Sequence, residues 1–212
     1  MLSNEAHAGT QWHSFDPAQG HGLKHDPMKA IVAPRPIAWV ASLNDQGVHN
    51  LAPYSFFNLL SAKPPLLMFS SEGSKDSLRN IAQTGEFTVN LVTQANMASM
   101  NLSSASVGPE VDEFALTRVP WLKGDLVAAR RVMTSPVNME CKLVEIKPLE
   151  DLDGRVLAAS MVIGQIVRVH INQDYLQDGL FSITAAGTVA RAGYRGDYVP
   201  VDRVQELLRP RD

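Results

Sequence analysis

Short β-rich runs at close intervals, with few stretches that read as long helices, limit this chain more than any other feature. Ile37–Leu43 is rich in residues that favour strands, and Pro34 and Pro36 make its approach stiff. Asn44-Asp-Gln-Gly47 is a turn signal, and Val48–Ala52 resumes an extended chain, so the pair predicts a hairpin. Leu66–Ser70 reads as a buried strand and Phe87–Val92 as another. Val137–Ile146 and Met161–Ile171 read as two long strands, joined through the turn residues Asp151, Asp153 and Gly154. Helices alternate with strands too rarely for a doubly wound sheet, and no GxGxxG segment follows a strand. A mainly β barrel with a few short helices is the expected fold.

The helical signals are brief. Leu78, Ile81 and Ala82 form an apolar stripe at helical spacing, with Gly85 placed to end the helix. Asn96–Leu102 and Val204–Arg209 read as two more short helices. The middle, Ser103–Arg131, is irregular, with breaks at Gly108-Pro-Glu and Val119-Pro-Trp.

The 212 residues suit one domain, and the 45% hydrophobic fraction supplies a core. A formal net charge of −3 leaves no basic excess for nucleic acid. The single cysteine, Cys141, can form neither an internal disulfide nor a metal cluster, and it reads as a small core residue. The start, MLSNEAHAGTQWHSF, lacks the pattern of a secretory leader, and no run approaches the ~18 apolar residues of a membrane span. A cytoplasmic protein is expected. Residues 1–26 are polar and carry His7, His13, His21 and His25 at irregular spacing. They read as an arm preceding a domain at 27–212, with no metal site.

Two stretches carry chemistry. Phe69-Ser-Ser-Glu-Gly-Ser-Lys-Asp-Ser77 joins a buried strand to a helix N-terminus, where free N–H groups and the helix dipole favour an anion. Ser71, Ser74 and Ser77 add hydroxyls, and Lys75 adds a charge. Plain helix capping by Ser74 or Asp76 is the alternative. The other stretch is Pro53-Tyr-Ser-Phe-Phe-Asn58. Ser55 and Asn58 can hydrogen-bond the edge of a heterocycle, and Tyr54, Phe56 and Phe57 can wall its faces. Glu110, Asp112 and Glu113 read as a solvated acidic loop, and His170 as a surface residue at a strand end. No serine lies in a GxSxG elbow.

The order of four blocks is more specific than any one alone. Ala33-Pro-Arg-Pro-Ile-Ala-Trp-Val-Ala-Ser42, Asn50-Leu-Ala-Pro-Tyr-Ser-Phe-Phe-Asn58, Lys75-Asp-Ser-Leu-Arg-Asn80 and Gly85-Glu-Phe-Thr-Val-Asn90 resemble the flavin reductase-like, FMN-binding split-barrel family. Similar members are described as flavoredoxins or NAD(P)H:flavin oxidoreductases. The resemblance implies a six-stranded split barrel that binds FMN, dimerises, and takes electrons from NADH or NADPH or from a redox partner protein. It implies flavin contacts from Ser55, Phe56 and Asn58, phosphate contacts from Ser70, Ser71, Lys75 and Ser77, and further contacts from Arg35, Trp39 and Arg191. Hydride transfer from nicotinamide to flavin needs no acid, base or nucleophile from the protein, because the flavin carries the redox chemistry, so no catalytic residue is expected. One departure stands out. Met161-Val-Ile-Gly-Gln-Ile-Val167 occupies the stretch where many family members carry a Gly-Asp-His segment tied to nicotinamide binding.

Overall fold

The computed structural model describes residues 11–210. His7 and the first ten residues of the expected arm lie outside them. Residues 11–26 hold turns and bends only, followed by a short helix α1, Met28–Ile31. The chain then builds β1 (Ala38–Leu43), β2 (His49–Tyr54), β3 (Phe57–Ala62), β4 (Pro65–Glu72), helix α2 (Asp76–Thr84) and β5 (Glu86–Leu91). Two short helices follow, α3 (Met97–Leu102) and α4 (Glu113–Thr117). The remainder is β6 (Trp121–Leu122), β7 (Arg131–Val132), β8 (Val137–Glu150), β9 (Val156–Ile171), β10 (Leu176–Gln177), β11 (Leu180–Phe181), β12 (Val189–Arg191) and β13 (Tyr198–Pro200).

One antiparallel sheet of seven strands, ordered β2-β1-β5-β8-β9-β4-β3, carries the fold. Its two edge strands, β2 and β3, are consecutive in the chain, and only Ser55 and Phe56 separate them. Two residues cannot span a flat sheet of this width, so the sheet must roll until the end of β2 lies beside the start of β3. The Ser70 N–H of β4 donates to the Phe56 carbonyl at 2.8 Å, which carries the β3–β4 pairing into this link. The mainly β split barrel is therefore observed, with seven strands in place of the expected six. The additional strand is β3, whose sequence, Phe-Asn-Leu-Leu-Ser-Ala, lies largely exposed on an edge and shows no alternation of buried and exposed positions.

Burial on both faces explains why β1 reads as an unbroken apolar run. Ala38 and Val40 point into the barrel core with Tyr54, Leu67, Phe69, Phe87, Val89 and Val162. Ile37, Trp39 and Ala41 point outward into a second core with Leu51, Met100, Phe114 and Val132. At Gly164 of β9 an added Cβ would come within 2.4 Å of the Phe87 ring, so only glycine fits there. Cys141 is wholly buried in the barrel core, as expected, and burial pushes its thiol well up.

Helix α2 packs its Ile81 side onto the barrel and ends at Gly85, which is left-handed at φ 71° and bonds back to the Ile81 carbonyl. Ala82 is exposed and forms no part of that stripe. No helix forms at Val204–Arg209, contrary to expectation. Val204, Leu207 and Leu208 are 74%, 92% and 76% exposed, and six residues without a surface to pack on do not sustain a helix. No helix among the described residues is long and apolar enough to cross a membrane.

Candidate functional site

The chain's passage from β2 to β3 lies along a groove formed of three adjoining cavities. The first, about 190 Å³, is lined by Lys29, Arg35, Ser55, Phe56, Ser70, Glu72, Lys75 and Arg191. The next, about 380 Å³, lies against the N-terminus of α2 and is walled by Ser74, Lys75, Ser77 and Arg79, with Ser103–Val107 opposite. Pro53, Tyr54 and Lys75 belong to both. The last, about 200 Å³, continues past Ser55 and Ser104 to Arg191 and Tyr198.

The α2 terminus is open to an anion. Its N-cap position is Lys75, and no side chain caps it. The alternative of plain capping by Ser74 or Asp76 therefore does not hold. Asp76 instead pairs with Arg79. With no cap, the first-turn N–H groups keep their donors and the helix dipole its field.

A buried polar network fixes that terminus from behind. Ser77 Oγ donates to Asn50 Oδ1 at 2.5 Å. Asn50 Nδ2 donates to Glu113 Oε1 at 3.0 Å, and the Leu51 N–H donates to Glu113 Oε2 at 3.2 Å. Asn80 Nδ2 donates to Ser42 Oγ at 3.2 Å. Strands β1 and β2 and helices α2 and α4 are thereby tied to one point. Glu113 is not part of a solvated loop, as expected, but 4% exposed. Burial pushes its carboxyl above the ordinary range, against the hydrogen bonds it accepts. Asp112 caps α4 and pairs with Arg130 at 2.7 Å.

Several expected site residues converge. Ser55, Phe56, Ser70, Lys75, Arg35 and Arg191 all line the first cavity, and Ser77 lines the second. Lys29 Nζ and Arg35 Cζ lie 5.6 and 5.7 Å from the Phe56 ring centre, and Lys75 Nζ lies 5.8 Å from the Tyr54 ring. Other expected residues do not join them. Trp39 is wholly buried and donates from Nε1 to Ser103 Oγ at 2.9 Å, so it steadies the serine wall instead of facing the groove. Asn58 lines none of these three cavities but a neighbouring one of about 480 Å³ that Arg35, Ser55 and Phe56 share, and its Oδ1 accepts from the Leu59 N–H at 2.8 Å. Ser71 lies wholly buried behind the groove. Tyr54 and Phe57 pack into the barrel core, which leaves Phe56 as the exposed ring.

The groove retains unmet polar capacity. Tyr54 Oη, Ser71 Oγ and Arg35 Nε are sealed from solvent, and none makes a well-formed hydrogen bond. Burial raises the Tyr54 phenol above its ordinary value, partly offset by the nearby Ser77 and Ser71 hydroxyls. Hydroxyls, an open helix terminus and Lys75 at one end, with a proline, an aromatic ring and the cations Lys29, Arg35 and Arg191 at the other, suit a ligand with an anionic tail and a flat head. Sequence reasoning missed Ser103–Ser106, Lys29 and Glu72. A run of three hydroxyls in four residues was the available signal for the first of these.

His170 is not a free surface residue. Its Nε2 lies 2.6 Å from Glu140 Oε1, away from the groove. Glu140 is wholly buried and also accepts from the N–H groups of Asp125, Leu126 and Val127. Burial alone would raise its carboxyl, but these donors outweigh burial and hold it below its ordinary value. Asp125, Glu140 and His170 bring ligand atoms within 4.8 Å of one another, yet protein donors already occupy the Glu140 oxygens.

Comparison with known proteins places this architecture. An uncharacterized protein of Halalkalibacterium halodurans is 34% identical over 182 residues, covering 81% of this chain and 87% of its own. The uncharacterized protein YwrF of Bacillus subtilis is 35% identical, covering 69% of this chain and 73% of its own. The solved structure of nitrilotriacetate monooxygenase component B from Bacillus cereus superposes with a TM-score of 0.84 at 27% identity, covering 94% of this chain and 100% of that one. The family model described as Flavin reductase like domain matches residues 29–186, most of the chain, and this protein belongs to that family.

Proposed function

We propose that this chain binds FMN along the groove and is an oxidoreductase that passes reducing equivalents from NADH or NADPH to flavin or to a second acceptor. One observation carries the reading. Tyr54 and Lys75 line both the hydroxyl-rich cavity at the α2 terminus and the cationic cavity beside Phe56, so one elongated ligand reaches from one to the other. Lys75 and the α2 N–H groups, that of Ser77 among them, hold the phosphate, while the Ser77 hydroxyl stays with Asn50. Pro53, Ser55 and Phe56 flank the ring system. FMN, when bound, supplies the two-electron chemistry. The protein binds it, orients it and places positive charge at its edge.

The test is spectral. Purified protein is titrated with FMN, and NADH or NADPH is then added without oxygen. Bleaching of the flavin band supports the reading, and no bleaching with either donor removes the reductase step. A rise in melting temperature with FMN reports binding independently.

A second reading, an FMN-binding electron carrier reduced by a partner protein, is favoured by one observation. The histidine nearest the missing Gly-Asp-His segment is His170, and it is engaged with Glu140 instead of facing the groove. Reduction by a redox protein but by neither nicotinamide would select it.

We further propose a cytoplasmic homodimer, with 27–212 as its flavin-binding unit and 1–26 as an arm. Leu59 and Leu60 on the unpaired edge of β3 are 55% and 49% exposed, and Ile31 and Val32 nearby are 65% and 59% exposed. Such apolar surface beside an open strand edge invites a second copy. Sedimentation showing only monomer at micromolar concentration rejects this.

A further inference from the structure

Two arginines meet beside the aromatic block without an acid to balance them. Arg35 and Arg191 are joined through their backbones: the Arg35 N–H donates to the Arg191 carbonyl at 2.9 Å, and the reverse bond is 2.8 Å. Both line the cavity of about 190 Å³, together with Lys29 and Lys75, and Glu72 is its one acidic residue. Among the described residues, none of these four cations lies within 4.0 Å of a carboxylate. Arg79, Arg130, Arg131, Lys142, Arg155 and Arg168 have acidic partners, and the other cations without one, such as Lys63, Arg118, Lys123 and Lys147, are exposed to solvent, unlike Arg35.

Arg35 is 8% exposed, so its charge is held largely out of water. Its Nη1 donates to the carbonyls of Lys29 and Val32 and its Nη2 to that of Ala192. Its Nε, also buried, has no acceptor. Burial and then the charge of Arg191 pull the guanidinium below its ordinary value. Arg191 donates only from Nη1, to the carbonyls of Tyr194 and Asp197, among the described residues, so the rest of its fork is uncommitted. Carbonyl dipoles steady a guanidinium, but they do not cancel its charge. The partly exposed Arg191 beside the buried Arg35 repels it, and an anion relieves the repulsion. A guanidinium with a free planar edge is shaped for a carboxylate or a phosphate oxygen pair.

FMN carries one phosphate, and the open N–H groups of the α2 terminus with Lys75 accommodate it. We propose that the Arg35–Arg191 pair, assisted by Lys29, binds the anionic group of a second ligand, a carboxylate or a phosphate, and so holds that ligand against the flavin ring beside Phe56. This rests on the reading of the groove as an FMN site. The substrate or donor admitted to the ring is then an anion, and neutral analogues of equal shape are discriminated against.

The experiment uses FMN-loaded protein and calorimetry with benzoate and its neutral counterpart benzamide, and with NAD⁺ as a phosphate-bearing arm. Benzoate is expected to bind about tenfold or more tightly than benzamide, the scale of one charge-assisted hydrogen bond. Arg191→Gln is expected to abolish that preference and Arg191→Lys to restore part of it. Lys29→Gln, on an exposed helix where folding is not at risk, is expected to reduce it. Displacement of benzoate by NAD⁺ assigns the pair to a dinucleotide phosphate, whereas NAD⁺ binding that shows no competition assigns it to a carboxylate.

Equal affinities for benzoate and benzamide, with no NAD⁺ binding sensitive to Arg191, overturn the proposal. So does an Arg191→Gln protein that loses affinity for FMN but not for riboflavin, because the flavin's own phosphate then occupies the pair. Failure of the wild-type protein to bind FMN at all rejects the function proposed above. The benzoate titration on flavin-free protein still decides whether the anion site exists.

Discussion

The groove and the neighbourhood of Glu140 manage buried polarity in opposite ways. Around Glu140, three backbone N–H groups and His170 saturate one carboxylate that is wholly buried. In and just behind the groove, Tyr54 Oη, Arg35 Nε and Ser71 Oγ have no well-formed hydrogen bond, and Lys29, Arg35, Lys75 and Arg191 have no acidic partner among the described residues. A saturated cluster stabilises the fold and has little capacity left for a ligand. An unsaturated one weakens the empty protein and reserves its donors for something else. Polar residues of similar kinds thus serve structure in one place and recognition in another, and the number of bonds left open separates the two roles.

Substitutions can break or sharpen this contrast. The largest effect is expected from Glu140→Ala, which orphans three N–H groups and His170 and should cost about 3–5 kcal/mol of stability by denaturant titration. Because Glu140 lines none of the groove, FMN affinity of the folded protein should move by no more than about 0.5 kcal/mol. A large loss of FMN affinity there would mean the two regions are coupled.

Lys75→Ala should do the reverse. It should weaken FMN binding by about 1–3 kcal/mol, read as a dissociation constant, and leave stability almost unchanged. An unchanged dissociation constant would show that the phosphate lies elsewhere.

His49 lies between the two patterns. Its ring packs edge-on against Phe114, its Nδ1 is unpartnered, and burial, followed by the nearby Arg130, lowers its pKa from 6.5 to about 4, while Asp112 opposes the shift. The fold therefore favours the neutral ring. Above pH 6.5 this group adds no pH dependence, and stability falls as the pH drops from about 6.5 towards about 4. His49→Gln should remove on the order of 1–2 kcal/mol of that decline, measured as melting temperature against pH. Glu140 acts lower on the scale. Its depressed carboxyl contributes stability above the ordinary carboxylate range and loses it only as the pH falls further. The smallest effect is expected from Arg155→Ala at the ribbon tip, where Arg155 is 74% exposed beside Asp151 and Asp153. Stability there should change by no more than about 0.5 kcal/mol.

What the sequence disclosed follows from how local each signal is. The β1–β2 hairpin was legible because Asn44–Gly47 sets its turn, and the β1 run because both its faces are buried. Strand β3 was not, since an exposed edge imposes no pattern on its side chains. The α2 loop was legible as an anion site because its serines and Lys75 are contiguous. Its supports were not. Glu113 reaches Asn50 across 63 residues of chain, and His170 reaches Glu140 across 30, and nothing in either local sequence reveals its partner. Trp39 stood in a recognisable block, yet its ring is wholly buried beneath the serine wall, where it donates to Ser103.

The two-residue step from β2 to β3 has a mechanical corollary. Because Ser55 and Phe56 bridge strands at opposite margins of the sheet, this short link works as a clasp, and its length sets how tightly the cylinder shuts. Circularly permuted chains reopened at the exposed Leu152–Gly154 tip should retain the clasp and fold, whereas a break between Ser55 and Phe56 should let the cylinder spring apart.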